Sequence, residues 1–200
     1  PNRIHEWLRG PMVAVATPFT EDHELDVDAL RDNIRFMVDR GVKTGQGTLL
    51  VGGAGGEHPV LNVEERKVVM TASLEAANGE VPVLTSIQHT DVRATVEMAR
   101  HAEAVGVQGG QLGPAYYYES TEDDVRRLFE HVSGQTDLTL MIYHTWWDGL
   151  VMSPELLRDL AAIPSVRALK WSHPEDGPYR EGLMEFAGKL ATIDNSNNHV

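Results

Sequence analysis

Apolar positions along this chain fall into two kinds of run that alternate strictly. The first kind is short, continuous and rich in β-branched residues. It comprises Met12–Thr17 (closed by Pro18), Thr48–Val51, Val81–Ile87, Val107–Leu112, Leu138–Tyr143, Val166–Lys170 and Leu190–Asp194. The second kind is longer, with apolar residues every three or four positions. Leu30, Ile34, Met37 and Val38 are the pattern in Asp26–Arg40, and similar spacing predicts helices over Asn62–Ala77, Asp91–Val105, Thr121–Val132, Ser153–Ile163 and Tyr179–Ala187, with a short one at 3–9. Helix signals agree with the periodicity. Asp26 and Ser153 read as N-caps, Pro154 occupies a first helical position, Gly41 follows a helix end, and Asn62 with Glu65 three residues on has the form of a capping box. Gly109 and Gly110 dilute the fourth strand.

Strands that are apolar throughout are covered on both faces, and β-α alternation supplies the cover, so the pattern predicts a parallel sheet. Two architectures fit: a (β/α)8 barrel and a doubly wound open sheet. No G-x-G-x-x-G follows the first strand, which weighs against dinucleotide binding. Both architectures place chemistry at the C-terminal strand ends. There the chain has Gly52-Gly53-Ala54-Gly55-Gly56-Glu57 after the second strand, Tyr116-Tyr117-Tyr118 after the fourth, Tyr143 ending the fifth and Lys170 ending the sixth. The chain has only four lysines, and Lys170 alone sits at the tip of a buried strand. A partly desolvated amine there has a lowered pKa and is nucleophilic towards carbonyls.

Composition narrows the partners. A formal net charge of −13 argues against nucleic acid and anionic membranes, and the absence of cysteine removes disulfides, thiolate metal sites and thiol nucleophiles. No apolar run reaches the length of a membrane span and no signal-peptide core opens the chain, so a cytoplasmic location is expected. Pro1 suggests a start after the natural one. His58, His89, His144 and His173 lie near strand ends without close paired spacing, so no metal site is expected, and no cofactor is called for.

The order of these motifs resembles the dihydrodipicolinate synthase / N-acetylneuraminate lyase family of class I, Schiff-base-forming aldolases. The resemblance rests on Ala16-Thr17-Pro18-Phe19; on Gly53-Ala54-Gly55-Gly56-Glu57 against the family's Gly-Thr-Thr-Gly-Glu; and on Leu61, Glu65-Arg66 and Val81-Pro82-Val83. It continues with Ala115-Tyr116-Tyr117, Ile142-Tyr143 and Leu169-Lys170. It implies a TIM barrel over residues 1–200, truncated after the seventh strand, with an eighth strand and a C-terminal helical region missing. It implies that Lys170 forms an imine with pyruvate or another 2-oxo acid, that Tyr143 shuttles protons, and that Tyr117 completes a relay across a subunit contact in a homodimer or homotetramer. Gly53, Ala54, Gly55 and Gly56 would hold the substrate carboxylate.

The chain departs from the family at two motifs that bear on chemistry. Ala54 and Gly55 replace both threonines, one of which links the two tyrosines in relatives; Ser86 and Ser172 are candidate substitutes. His144-Thr145-Trp146-Trp147-Asp148-Gly149 replaces the loop whose arginine receives a second carboxylate in dihydrodipicolinate synthesis, so that activity is not expected. His144 and Trp146 become candidate substrate-binding residues. The expected function is a carbon–carbon or carbon–oxygen lyase, aldolase or dehydratase. The alternative is an impaired homologue that binds a metabolite or acts structurally.

Overall fold

The computed structural model describes residues 4–117, 119–145, 150–172 and 179–195. Seven strands, β1 (Met12–Ala14), β2 (Thr48–Val51), β3 (Val83–Ser86), β4 (Gly109–Leu112), β5 (Leu140–Tyr143), β6 (Val166–Trp171) and β7 (Ala191–Asp194), form one sheet in sequential order. Every pair is parallel. A doubly wound sheet reverses its strand order part-way; this one never does. The helices are α1 (Ile4–Trp7), α2 (Val27–Asp39), α3 (Val63–Ala77), α4 (Val92–Val105), α5 (Glu122–Ser133), α6 (Pro154–Ala162) and α7 (Tyr179–Phe186).

The sheet curls into a barrel wall, as its two faces show. Leu50, Leu84, Met141, Ala168 and Ala191, from β2, β3, β5, β6 and β7, pack in one cluster with Ile4, and Trp7, Leu8 and Met12 lie against it. Side chains from strands this far apart meet only if the sheet wraps around them. The outward-facing positions, among them Leu49, Val51, Leu112, Ile142 and Leu169, belong to two other clusters shared with the helices.

Local chemistry follows the sequence closely. Asn62 and Glu65 close the expected capping box, Asp26 accepts from the Ala29 N–H at 2.9 Å, and the Ser153 hydroxyl accepts from the Leu156 N–H at 3.1 Å. The strand predictions were too long at β1, β3, β4 and β5, because apolar residues continue past the last ladder hydrogen bond. Gly109 and Gly110 have a packing reason. A Cβ at Gly110 would come within 2.8 Å of Leu138 Cδ2, and one at Gly109 within 3.3 Å of the Thr139 carbonyl oxygen.

One charged side chain shapes the site from behind. Arg66 on α3 is 1% exposed and donates to the Ser86 carbonyl at 2.7 Å and the Gln88 carbonyl at 2.8 Å. Burial pushes its pKa down to about 10. It fixes the chain where β3 ends. Arg66→Met should cost about 2–4 kcal/mol, since two buried carbonyls lose a charged donor; urea denaturation measures it, and a loss below the error of the extrapolation would refute this role.

Candidate active site

Lys170 and Tyr143 are direct register partners on β6 and β5. Parallel neighbours in register point to the same face, and both lie two positions beyond members of the inner cluster, Ala168 and Met141. The pair therefore stands on the inner face at the C-terminal end of the barrel. The Lys170 ammonium lies 5.0 Å from the centroid of the Tyr143 ring, at cation–π distance. Burial lowers the Lys170 pKa, and no carboxylate among the described residues pairs with it to oppose the shift.

Behind the pair, β5 and β6 are tied together. The His144 N–H donates to the Lys170 carbonyl at 3.0 Å, His144 Nδ1–H to the Ser172 carbonyl at 2.7 Å, and the Ser172 hydroxyl to the His144 carbonyl at 2.8 Å. The His144 ring stacks on Trp171 at 4.7 Å between centroids and is fully buried. His144 was expected to touch substrate. Period-two alternation instead turns its ring away from Tyr143 and into the helix-facing core. Ser172, a candidate for the missing relay hydroxyl, is occupied by the same tie.

The glycine stretch is a short 3-10 turn over Ala54–Gly56, entered from Gly53. The N–H groups of Gly56 and His58 donate to the Gly53 carbonyl, and that of Glu57 to the Ala54 carbonyl. The first N–H groups of such a turn, those of Ala54 and Gly55, have no acceptor within it. Thr17 holds the turn against the end of β1 by donating to the Gly56 carbonyl at 2.7 Å. A Cβ at Gly56 would lie 2.8 Å from the Val15 carbonyl oxygen, so only glycine fits there. At Gly55 a Cβ would meet the Ala14 Cβ at 3.1 Å.

Tyr117 is 89% exposed in the loop between β4 and α5, in left-handed backbone with φ +78°. Tyr116 instead packs edge-on against His58, 5.4 Å between centroids, and burial beside Arg66 and His89 lowers the His58 pKa to about 4. Trp146, with Trp147 and Asp148, lies outside the described residues. Among the described residues no three His, Asp or Glu side chains converge into a metal-binding set. A groove of about 550 Å³ lined by His89, Glu119, Asp124 and His131 lies between α4 and α5 and includes none of the expected site residues. Sequence reasoning gave Arg66 no role; its place in the Glu65-Arg66 motif was the available signal.

The dihydrodipicolinate synthetase family model matches residues 7–175. The chain belongs to this family. It is 28% identical over 170 residues to 4-hydroxy-tetrahydrodipicolinate synthase of Thermotoga maritima, covering 84% of this chain and 56% of that protein. It is 33% identical over 192 residues to an uncharacterized DapA-like lyase of Halobacterium salinarum, covering 96% of this chain and 62% of the relative. Among solved structures, YagE of E. coli K12, a prophage protein of the dihydrodipicolinic acid synthase family in complex with pyruvate, superposes with a TM-score of 0.85 at 26% identity, covering 96% of this chain and 64% of that one. CdNal of Clostridium difficile, in complex with mannosamine, shares the fold at a TM-score of 0.85 and 20% identity, covering 93% and 63%. The chain thus spans between about half and two thirds of the length of these dihydrodipicolinate synthetase family members. The barrel architecture is that of the family.

The lowered Lys170 pKa has a sign that can be tested. The amine is fully protonated in both folded and unfolded chains below its folded pKa, and there the desolvation penalty is present in full. As pH rises from that value towards 10.5 the penalty disappears. Lys170→Met should therefore raise the melting temperature at pH 7, with a gain that shrinks as pH approaches 10; a gain independent of pH would show that the charge is not what the burial opposes.

Proposed function

We propose that this protein is a lyase that forms an imine between Lys170 and the ketone of pyruvate or a related 2-oxo acid. One observation carries the reading. A desolvated lysine with no carboxylate partner among the described residues stands against a tyrosine ring at the C-terminal end of a parallel barrel. Desolvation lowers the amine's pKa and so raises its neutral, nucleophilic fraction at a given pH. Attack on the ketone gives a carbinolamine, and loss of water gives an iminium. The iminium withdraws electrons from the neighbouring carbon, so a proton or a carbon fragment can leave. Tyr143, beside the nitrogen, serves as the proton shuttle.

In the same reading the turn from Gly53 through Ala54 and Gly55 to Gly56 directs backbone N–H groups at the substrate carboxylate, where side-chain bulk would intrude. Tyr117, exposed and held in a constrained backbone, reaches the site of a second copy in a homo-oligomer. By its place in the sequence after Tyr143, Trp146 is the candidate contact for the distal part of the substrate. With Asp148 in a loop that holds an arginine in dihydrodipicolinate producers, a second carboxylate is poorly received. The acceptor is therefore a different aldehyde, or the reaction is a dehydration.

Sodium borohydride reduction in the presence of pyruvate should attach the keto acid to the peptide containing Lys170, and Lys170→Ala should abolish attachment. Tyr143→Phe should leave attachment possible and slow turnover by about 10²–10⁴-fold. Absence of any adduct across a panel of 2-oxo acids would favour a metabolite-binding or structural homologue.

A further inference from the structure

The inner face of β4 carries a group that the proposed mechanism does not use. Gly109 and Gln111 share that face. A Cβ at Gly109 would meet the inward-facing Leu84 side chain at 3.6 Å, whereas one at Gly110 would meet Leu138 and Ile87 on the helix side. Leu112 also belongs to the helix side. Gln111 thus enters the barrel between its register partners, Ser86 on β3 and Met141 on β5. It is 1% exposed, and its carbonyl oxygen Oε1 has no hydrogen-bond partner among the described residues.

A buried amide carbonyl without a donor costs about 1–3 kcal/mol, and a methionine or leucine of similar volume would fill the space without that cost. The position explains what the carboxamide can meet. Met141 and Ala168 lie one two-residue step, about 6.6 Å, below Tyr143 and Lys170 on the same face. Gln111 is level with that lower pair, on the closed side of the Lys170 contact, away from the barrel mouth. A ligand bonded to Lys170 through its second carbon presents to this floor the atoms next to that carbon; its distal end faces the mouth.

We propose that Gln111 is a specificity-determining residue whose Oε1 accepts a hydrogen bond from a hydroxyl on the third carbon of the bound 2-oxo acid. The ligand class is then 3-hydroxy-2-oxo acids, in preference to alkyl analogues of the same size. The proposal rests on Lys170 being the imine-forming amine. Ser86, the cross-strand neighbour of Gln111, places a hydroxyl beside it, which donates to Gln88 Oε1 at 3.4 Å.

Hydroxypyruvate and 2-oxobutyrate differ only in OH against CH₃ on the third carbon, so they isolate this contact. Calorimetric titration of the purified protein should show hydroxypyruvate binding about tenfold more tightly than 2-oxobutyrate. Gln111→Met should bring the two acids to parity, with pyruvate affinity and melting temperature unchanged or raised; Gln111→Leu serves if the first variant does not fold. Equal affinities in the unaltered protein overturn the proposal without any variant, and so does a preference that survives in the folded variant. A lowered melting temperature with an unchanged preference assigns Gln111 a structural role instead. Borohydride trapping separates the two levels. Adducts at Lys170 without hydroxyl preference sink this inference alone. Preference without adducts keeps the hydroxyl site and overturns the imine. Neither binding nor adducts overturns both.

Discussion

The register between β5 and β6 is the constraint from which the site takes its form. Once Met141 is set opposite Ala168, Tyr143 must stand opposite Lys170 on the same inner face. The ring and the amine are then neighbours whatever their chemistry. A slip of one residue in either strand would send that strand's member of the pair into the helix-facing core and part the two. The two effects on the amine oppose each other. The tyrosine ring favours the cation, whereas burial favours the neutral form and lowers the pKa. A carboxylate paired with the amine would have opposed that shift, and none among the described residues pairs with it.

The fold was legible because its strands are short and its helices are capped. β2 is reproduced over Thr48–Val51, and the capping box at Asn62 and Glu65 sets the start of α3. Strand ends were less legible. In a wall buried on both faces, an apolar run does not reveal which residue makes the last ladder bond. The same uniformity hid facing. His144 follows Tyr143 directly and looked equally close to the chemistry, yet alternation carries its ring to the other side of the sheet. Lys170 and Tyr143 could be found because a charge and a phenol at the ends of apolar strands stand out. Gln111 could not, since it lies between glycines in a weak strand and only its inward facing gives it meaning.

The glycine turn is a packing solution. At Gly55 a side chain would press on Ala14 of β1, and at Gly56 on the Val15 carbonyl, while Thr17 fastens the turn from the far side. The turn thus lies closer against the first strand than a threonine at position 55 would allow without adjustment.

The tie between His144 and Ser172 has a mechanical consequence. Two side chain–backbone bonds running in opposite directions, added to the ladder bond from the His144 N–H, make the tips of β5 and β6 a single body. The adjoining seam is different: Gly113, which follows β4, abuts Tyr143 closely, with room for no side chain between them. In the tied seam, displacing either tip of β5 or β6 displaces both, so the Lys170 amine and the Tyr143 ring keep their spacing when the barrel mouth is deformed.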